Sequence, residues 1–292
     1  MISATSSKEG DVRENFEMQE QEISDPQNNE ETQSEEQQLI MPRSLIGNRG
    51  NSSGKETGAF HRLQTPASNS AIVYNGIVAD SVKLPTYNIS GAYTNYGEAA
   101  YLYTGVDGLA EVGFEGVYSQ TTPAGWYPVF HSKVAHTVNT GDTNGNPKSS
   151  NVEKTYTDRS KKFNGGDTIS GYKVYYYANK VDPVTKQTEP LTIREQINYT
   201  DIYVVNFGLA TTGRSVKRVT AMATNTATST TSPLHYGFTT PAVWTNMKFL
   251  INDSAGTKYP SEISGLNDDV WTHGSKIDYT SSNHVESYTF TP

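Results

Sequence analysis

Threonine outnumbers leucine in this chain by 35 to 11, and that imbalance decides what it can fold into. Packed helices rest on leucine-rich stripes recurring roughly every three to four residues, and past residue 70 no such stripe exists. Short runs of β-branched and aromatic residues recur instead, bounded by Gly, Pro and Asn. "SAIVYNGIVAD", "EAAYLYTG", "LAEVGFEGVYS", "GWYPVFHSKV", "DTISGYKVYYYA", "DIYVVNFGL", "RSVKRVTAMAT", "AVWTNMKFLIND" and "HVESYTFT" all read as strands. They predict an all-β chain, an antiparallel β-sandwich of jelly-roll type.

The stretch before residue 70 is different material. Residues 1–40 carry eleven acidic and two basic side chains, whereas residues 41–292 carry twenty acidic and twenty-one basic. "EQEISDPQNNEETQSEEQQL" has almost no aromatic or β-branched residues. It cannot bury enough apolar surface to offset its ordering entropy, so residues 1–46 read as a disordered acidic leader. "IGNRGNSSGKETGAF" reads as a flexible linker over residues 47–69. All nineteen tyrosines and all three tryptophans follow, so residues 70–292 are expected to form the sandwich. Its near-neutral charge argues against a nucleic-acid partner, which needs a basic stripe to displace counterions. There is no cysteine, hence no disulfide and no thiolate metal site. No run of eighteen apolar residues occurs, and no transmembrane segment is expected. "MISATSSKEGD" resembles the start of a mature exported chain. With a polar leader ahead of a Thr/Tyr-rich domain, the expected location is secreted or cell-surface.

The stretch "EVGFEGVYSQTTPAGWYPVFHSKV" carries the main candidates for function. On a strand, Val112 and Phe114 share one flank, and Glu111, Gly113 and Glu115 share the other. In the partner run Trp126 and Phe130 face one way, and Tyr127, His131 and Lys133 the other. "SQTTPAG" between them is of hairpin length. Matching the apolar flanks puts Val112, Phe114, Trp126 and Phe130 in the core, and Glu111, Glu115, Tyr127 and His131 on a hydrated face. "GYKVYYYA" is expected to add Tyr175 and Tyr177 to that face or, in the other register, Tyr172 and Tyr176. Flat aromatic rings cover the apolar side of a sugar, and carboxylates accept its hydroxyl protons. Glu111, Glu115, Tyr127, His131, Tyr175 and Tyr177 are therefore the candidate ligand-binding residues, with a polysaccharide or cell-surface glycan as the partner.

Catalysis has less behind it. A glycosidase needs its two carboxyl groups about 5–9.5 Å apart. Residues four apart on a strand are separated by roughly 13 Å. Unless the strand bulges at Gly113, Glu111 or Glu115 would need an acid from elsewhere, such as Glu98 or Asp201. No phosphate cradle or nucleophile elbow is visible. "DTNGNPKSSNVE" sets Asp142, Asn144, Asn146 and Glu153 at calcium-loop positions, but Pro147 stands where the sharp turn needs Gly, and the segment reads as a polar turn. His131 and His136 are expected on opposite flanks of a strand, unable to share a metal. "GRSVKRV", with Arg214, Lys217 and Arg218, reads as a solvated edge. "TAMATNTATSTTSP" is similar to the Ser/Thr-rich insertion hairpins of aerolysin-like toxins, but its Ala/Thr face is too weak for a bilayer, and it reads as a strand and turn. No metal and no cofactor is expected.

The run "GVDGLAEVGFEGVYSQTTPAGWYPVFH" resembles the YrpD-like family of secreted bacterial proteins with a concanavalin-like sandwich. The likeness lies in a strand with a Gly-hydrophobic repeat ahead of a Trp-centred hairpin strand. "VWTNMKFLIND" and "WTHGSKIDYTSSNHVESYTFT" fit the same outline, so the resemblance spans about residues 70–292. It implies a secreted or surface protein without an established activity and carries over no catalytic residue. A competing likeness is the glutamic peptidase sandwich, with Ala110-Glu111-Val112-Gly113-Phe114 at its first motif. There Glu111 stands where Gln is required, and nothing matches the second motif. Three readings stay open: a non-catalytic glycan- or matrix-binding or adhesion module, a polysaccharide-active or peptidase-like hydrolase, and a surface protein with no ligand. The first is the expectation.

Overall fold

The computed structural model describes residues 57–69, 71–140, 148–151, 154–177, 191–207, 214–224, 234–251, 256–273 and 275–292. These form two antiparallel sheets. The smaller has seven strands, in the order β16 (Asn267–His273), β1 (Thr57–Gln64), β12 (Val216–Thr224), β3 (Glu98–Val106), β4 (Ala110–Val117), β5 (Gly125–Ser132) and β8 (Lys154–Thr157). The larger has eleven. Nine run in the order β17 (Lys276–Ser282), β18 (Val285–Thr291), β13 (Ala242–Thr245), β2 (Tyr74–Lys83), β9 (Thr168–Tyr177), β10 (Leu191–Ile197), β11 (Thr200–Phe207), β6 (His136–Thr140) and β7 (Lys148–Ser150). β14 (Lys248–Ile251) continues the line of β13 along β2 and pairs with β15 (Gly256–Lys258).

The meanders β3–β4–β5 and β9–β10–β11 stay within one sheet, whereas β1 to β2 to β3, β5 to β6, β7 to β8 to β9, and β11 to β12 to β13 cross from one layer to the other. That back-and-forth wrapping is the jelly-roll solution to burying one flank of each sheet. The core lies between the layers. Leu102, Phe114, Trp126, Phe130 and Met222 come from the smaller sheet, and Ile77, Val174, Phe207, Trp244 and Phe290 from the larger. Each such side chain contributes about 1.5–3 kcal/mol by leaving water.

Aromatic residues with polar tips also reach across this core. Tyr203 donates to the carbonyls of Pro128 (3.2 Å) and Tyr156 (3.1 Å). The Tyr176 hydroxyl meets Thr104 at 2.9 Å, and Trp244 Nε1 donates to Thr220 Oγ1 at 3.0 Å. These three side chains are thus buried with their polar tips satisfied.

The alternation read from the β4–β5 hairpin holds. Val112, Phe114, Trp126 and Phe130 face the core, and the strands pair with Glu111 opposite His131 and Glu115 opposite Tyr127. Other expectations change. Residues 57–64, assigned to the linker, form β1, paired on both sides by β12 and β16. "GRSVKRV" is no solvated edge: β12 is an interior strand, and Lys217 and Arg218 are buried on opposite flanks of it. His131 and His136 lie on different strands of different sheets. One short helix, α1 (Ile89–Tyr96), was not anticipated. Its signals are local: Asn88 Oδ1 accepts the Gly91 N–H at 2.7 Å, and Gly97 closes the helix in the left-handed region. Asp142, Asn144, Asn146, Glu153 and the acidic leader lie outside the described residues.

Candidate functional site

The flank of the smaller sheet that faces away from the core is built in transverse rows, because antiparallel pairing sets side chains of one flank beside each other. One row runs Trp271, Phe60, Ala221, Tyr101, Glu115, Tyr127. A second runs Lys217, Gly105, Glu111, His131, Thr155. Between them lie Val219, Tyr103, Gly113 and Val129. Gly105 makes the second row work. A Cβ there would sit 3.1 Å from Glu111 Cγ and 3.2 Å from Lys217 Cε. Its absence lets Lys217 reach over β3 to Glu111 Oε1 at 2.7 Å. Lys217 Nζ also lies 5.8 Å from the Tyr103 ring centroid. His131 Nδ1 meets Thr155 Oγ1 at 2.8 Å, and the Tyr127 hydroxyl donates to the Pro123 carbonyl at 2.9 Å.

Sequence periodicity brings Glu111, Glu115, Tyr127 and His131 to one flank, as expected, but the flank is not hydrated. Each of the four is 4% exposed or less. All residues of β3, β4 and β5 are buried, so both flanks of this meander are shut off from water. Tyr175 and Tyr177 do not join them: β9 belongs to the larger sheet. Tyr175 is half-buried on that sheet's outer flank, with Lys173 Nζ 3.7 Å from its ring centroid. The Tyr177 side chain lies outside what the structure describes. Tyr172 and Tyr176 point into the core.

The two acids considered as catalytic partners are engaged elsewhere. Glu98 holds the segment after residue 234, accepting from the His235 N–H at 2.7 Å, His235 Nδ1 at 2.9 Å and the Tyr236 N–H at 3.1 Å. Asp201, on the larger sheet, accepts from Gln196 at 2.8 Å and lies 3.6 Å from Arg194.

Two buried polar groups escaped the sequence reading because both sit on inward flanks of strands. In the first, Arg218 pairs with Glu286, whose Oε2 also accepts from the Tyr288 hydroxyl at 2.7 Å. His61 Nδ1 lies 2.9 Å from that hydroxyl, and His61 Nε2 lies 2.6 Å from Asp268. Burial, then the Arg218 charge, push the His61 imidazole toward its neutral form, against the pull of Asp268. The second is Glu195 on β10, whose Oε1 accepts from the Tyr172 hydroxyl at 3.1 Å. Burial raises its carboxyl well above the usual range, an effect only partly offset by Tyr172. "RSVKRV" held a clue to the first: with Lys217 and Arg218 adjacent in a strand, one of them must point inward. A cavity of 240 Å³ lined by Thr86, Asn88, Ser90 and Asn164 opens beside α1, but Asn88 is committed to the helix cap. Among the described residues no three His, Asp or Glu side chains converge as metal ligands.

What fold and site define is an antiparallel β-sandwich of jelly-roll type with a polar and aromatic flank on its smaller sheet. No family model and no curated protein matches the chain. Among solved structures it is similar to LamA from Z. galactanivorans in complex with laminaritriose and laminaritetraose. The identity is 9% and the TM-score 0.28, over 80% of this chain and 77% of that one. It is also similar to LamAcat from Zobellia galactanivorans, at 10% identity and a TM-score of 0.27, over 80% of this chain and 76% of that one. Likenesses this distant carry no argument about function.

Proposed function

We propose that this chain is a non-catalytic glycan- or matrix-binding module of a secreted or cell-surface protein, in keeping with the YrpD-like resemblance of its sequence. One observation carries the reading. Glu111 Oε1 takes the Lys217 ammonium, while Oε2 is buried and has no hydrogen-bond partner among the described residues. An orphaned buried polar oxygen costs about 1–3 kcal/mol, and a hydroxyl-rich ligand is the chemistry that would satisfy it. The row beyond Tyr103 and Val129 supports a saccharide, since it sets Glu115 between Tyr101 and Tyr127. Because the flank is closed, binding is coupled to its opening, and the apparent affinity is the intrinsic affinity multiplied by the fraction of open molecules. A hydrolase would need a raised carboxyl in a cleft, and Glu195, the carboxyl that burial raises among the described residues, lies between the sheets.

Affinity electrophoresis in gels containing β-glucan, xylan or galactomannan tests the binding. The native chain is expected to be retarded by at least one polymer, and Glu111→Gln and Tyr127→Ala to weaken that retardation about tenfold, equivalent to 1.4 kcal/mol. Retardation of both variants equal to that of the native chain, or none of the native chain on any gel, overturns the reading. Fractionation of producing cells should place the chain in the medium or on the surface; confinement to the cytosol would overturn that part.

A further inference from the structure

Tyr199 is 86% exposed, about twice as much as any other large apolar side chain among the described residues. It occupies the second position of the two-residue turn joining β10 to β11, where Asn198 and Tyr199 have φ values of 50° and 63°. Asparagine is at home there, but the second position ordinarily falls to glycine, and a bulky residue in the left-handed region is strained. The ring is also held in place. Gly171 of β9 lies beneath it, itself at φ 56°, and a Cβ on Gly171 would come within 3.2–3.5 Å of three atoms of the Tyr199 ring. One face therefore rests on backbone while the other meets water. The Asn198 N–H donates to the Ser170 carbonyl at 3.2 Å and ties the turn to β9. On the two strands that leave this turn, Asp201 accepts from Gln196 at 2.8 Å and lies 3.6 Å from Arg194, so that an acid, an amide and a guanidinium are bonded together within a few residues of Tyr199.

We infer that Tyr199 is a stacking platform for a neutral polysaccharide chain on the outer flank of the larger sheet, with Asp201, Gln196 and Arg194 meeting its hydroxyls. A purely apolar ligand would gain nothing from this polar trio; in it the acid and the guanidinium already answer each other's charge, while Lys173, opposite Gln196 on β9, lies over the Tyr175 ring with Nζ 3.7 Å from its centroid. A pyranose has an apolar face for the ring and a rim of hydroxyls for the trio. A strained aromatic kept where glycine would be easier is the kind of outlier that marks a working surface. The inference rests on the glycan-binding reading but concerns a surface separate from the Glu111 flank.

Tyr199→Gly separates the possibilities, measured by thermal unfolding and by electrophoresis through the same three polymers, with Tyr199→Trp and Glu111→Gln run alongside. The expected result is a higher melting temperature for Tyr199→Gly, because strain is relieved, together with about tenfold weaker retardation. Tyr199→Trp should keep the retardation. A lower melting temperature for Tyr199→Gly would mean that the ring merely covers Gly171, and the inference falls. Unchanged retardation of Tyr199→Gly with weakened Glu111→Gln overturns the platform and leaves the binding reading standing. No retardation of the native chain overturns both.

Discussion

Glu195 is the residue at which this fold most resists its own composition. Its carboxyl is sealed on the inner flank of β10, where Tyr172 serves one oxygen and the other has no hydrogen-bond donor among the described residues. Because burial raises its pKa, the folded state holds a proton that the unfolded chain releases above the usual value of 4.5. Its contribution is therefore complete below that pH and is lost as pH rises, by about 1.4 kcal/mol for each pH unit over which the proton is retained. Glu195→Gln is expected to stabilise the protein at neutral pH, and by more at pH 8 than at pH 5, in urea unfolding compared across pH. A gain independent of pH would contradict the neutral carboxyl. The buried Lys217–Glu111 pair makes the converse case. Lys217→Met strands a buried carboxylate and should cost about 3–5 kcal/mol, whereas the double variant Lys217→Met, Glu111→Gln should recover most of it. Equal losses in the single and double variants would show that the pair itself is not what matters.

At the level of elements, β1 has the clearest consequence. It is paired with β12 over the whole of Thr57–Gln64 and with β16 on its other side, so it is an interior strand of the smaller sheet. A chain beginning at residue 70 should lose the cooperative melting transition seen by circular dichroism. Retention of the native transition would show that β1 is dispensable. The reason "GAFHRLQ" did not read as a strand is physical: its inward side carries His61 between Ala59 and Leu63, which blurs the apolar alternation. By contrast, the β4–β5 hairpin was legible down to the residue pairs, since Val112, Phe114, Trp126 and Phe130 leave one consistent apolar flank. Period two says which side chains share a flank; it does not say whether that flank meets water. Hence Glu111, Glu115, Tyr127 and His131 were grouped correctly and placed in solvent wrongly. Tyr175 was misplaced for another reason, because no local pattern tells a strand which sheet it will join.

For the whole molecule, the pH dependence of stability should combine opposing trends. His61 and His136 are both pushed toward the neutral form by burial. His61 faces Arg218 from β12, Asp268 from β16, Tyr279 from β17, and Glu286 and Tyr288 from β18. The unfolded chain takes up these protons first, so their contribution is present above about 6.5 and is lost as pH falls below it. Between about pH 4.5 and 6.5 this runs against Glu195, which flattens the native profile. In Glu195→Gln the melting temperature should climb steadily across that interval, and a profile that stays level would rule out the histidine contribution.

The bonds that Tyr203, Tyr176 and Trp244 make across the core have a mechanical corollary. Apolar contact tolerates small displacements, but a hydrogen bond is lost when its partners are drawn out of line. Sliding one layer past the other by a single residue would strand all three tips together, at about 1–3 kcal/mol each. The two layers therefore have one alignment rather than a family of near-equivalent ones, and shear along the strands is opposed by all three bonds together.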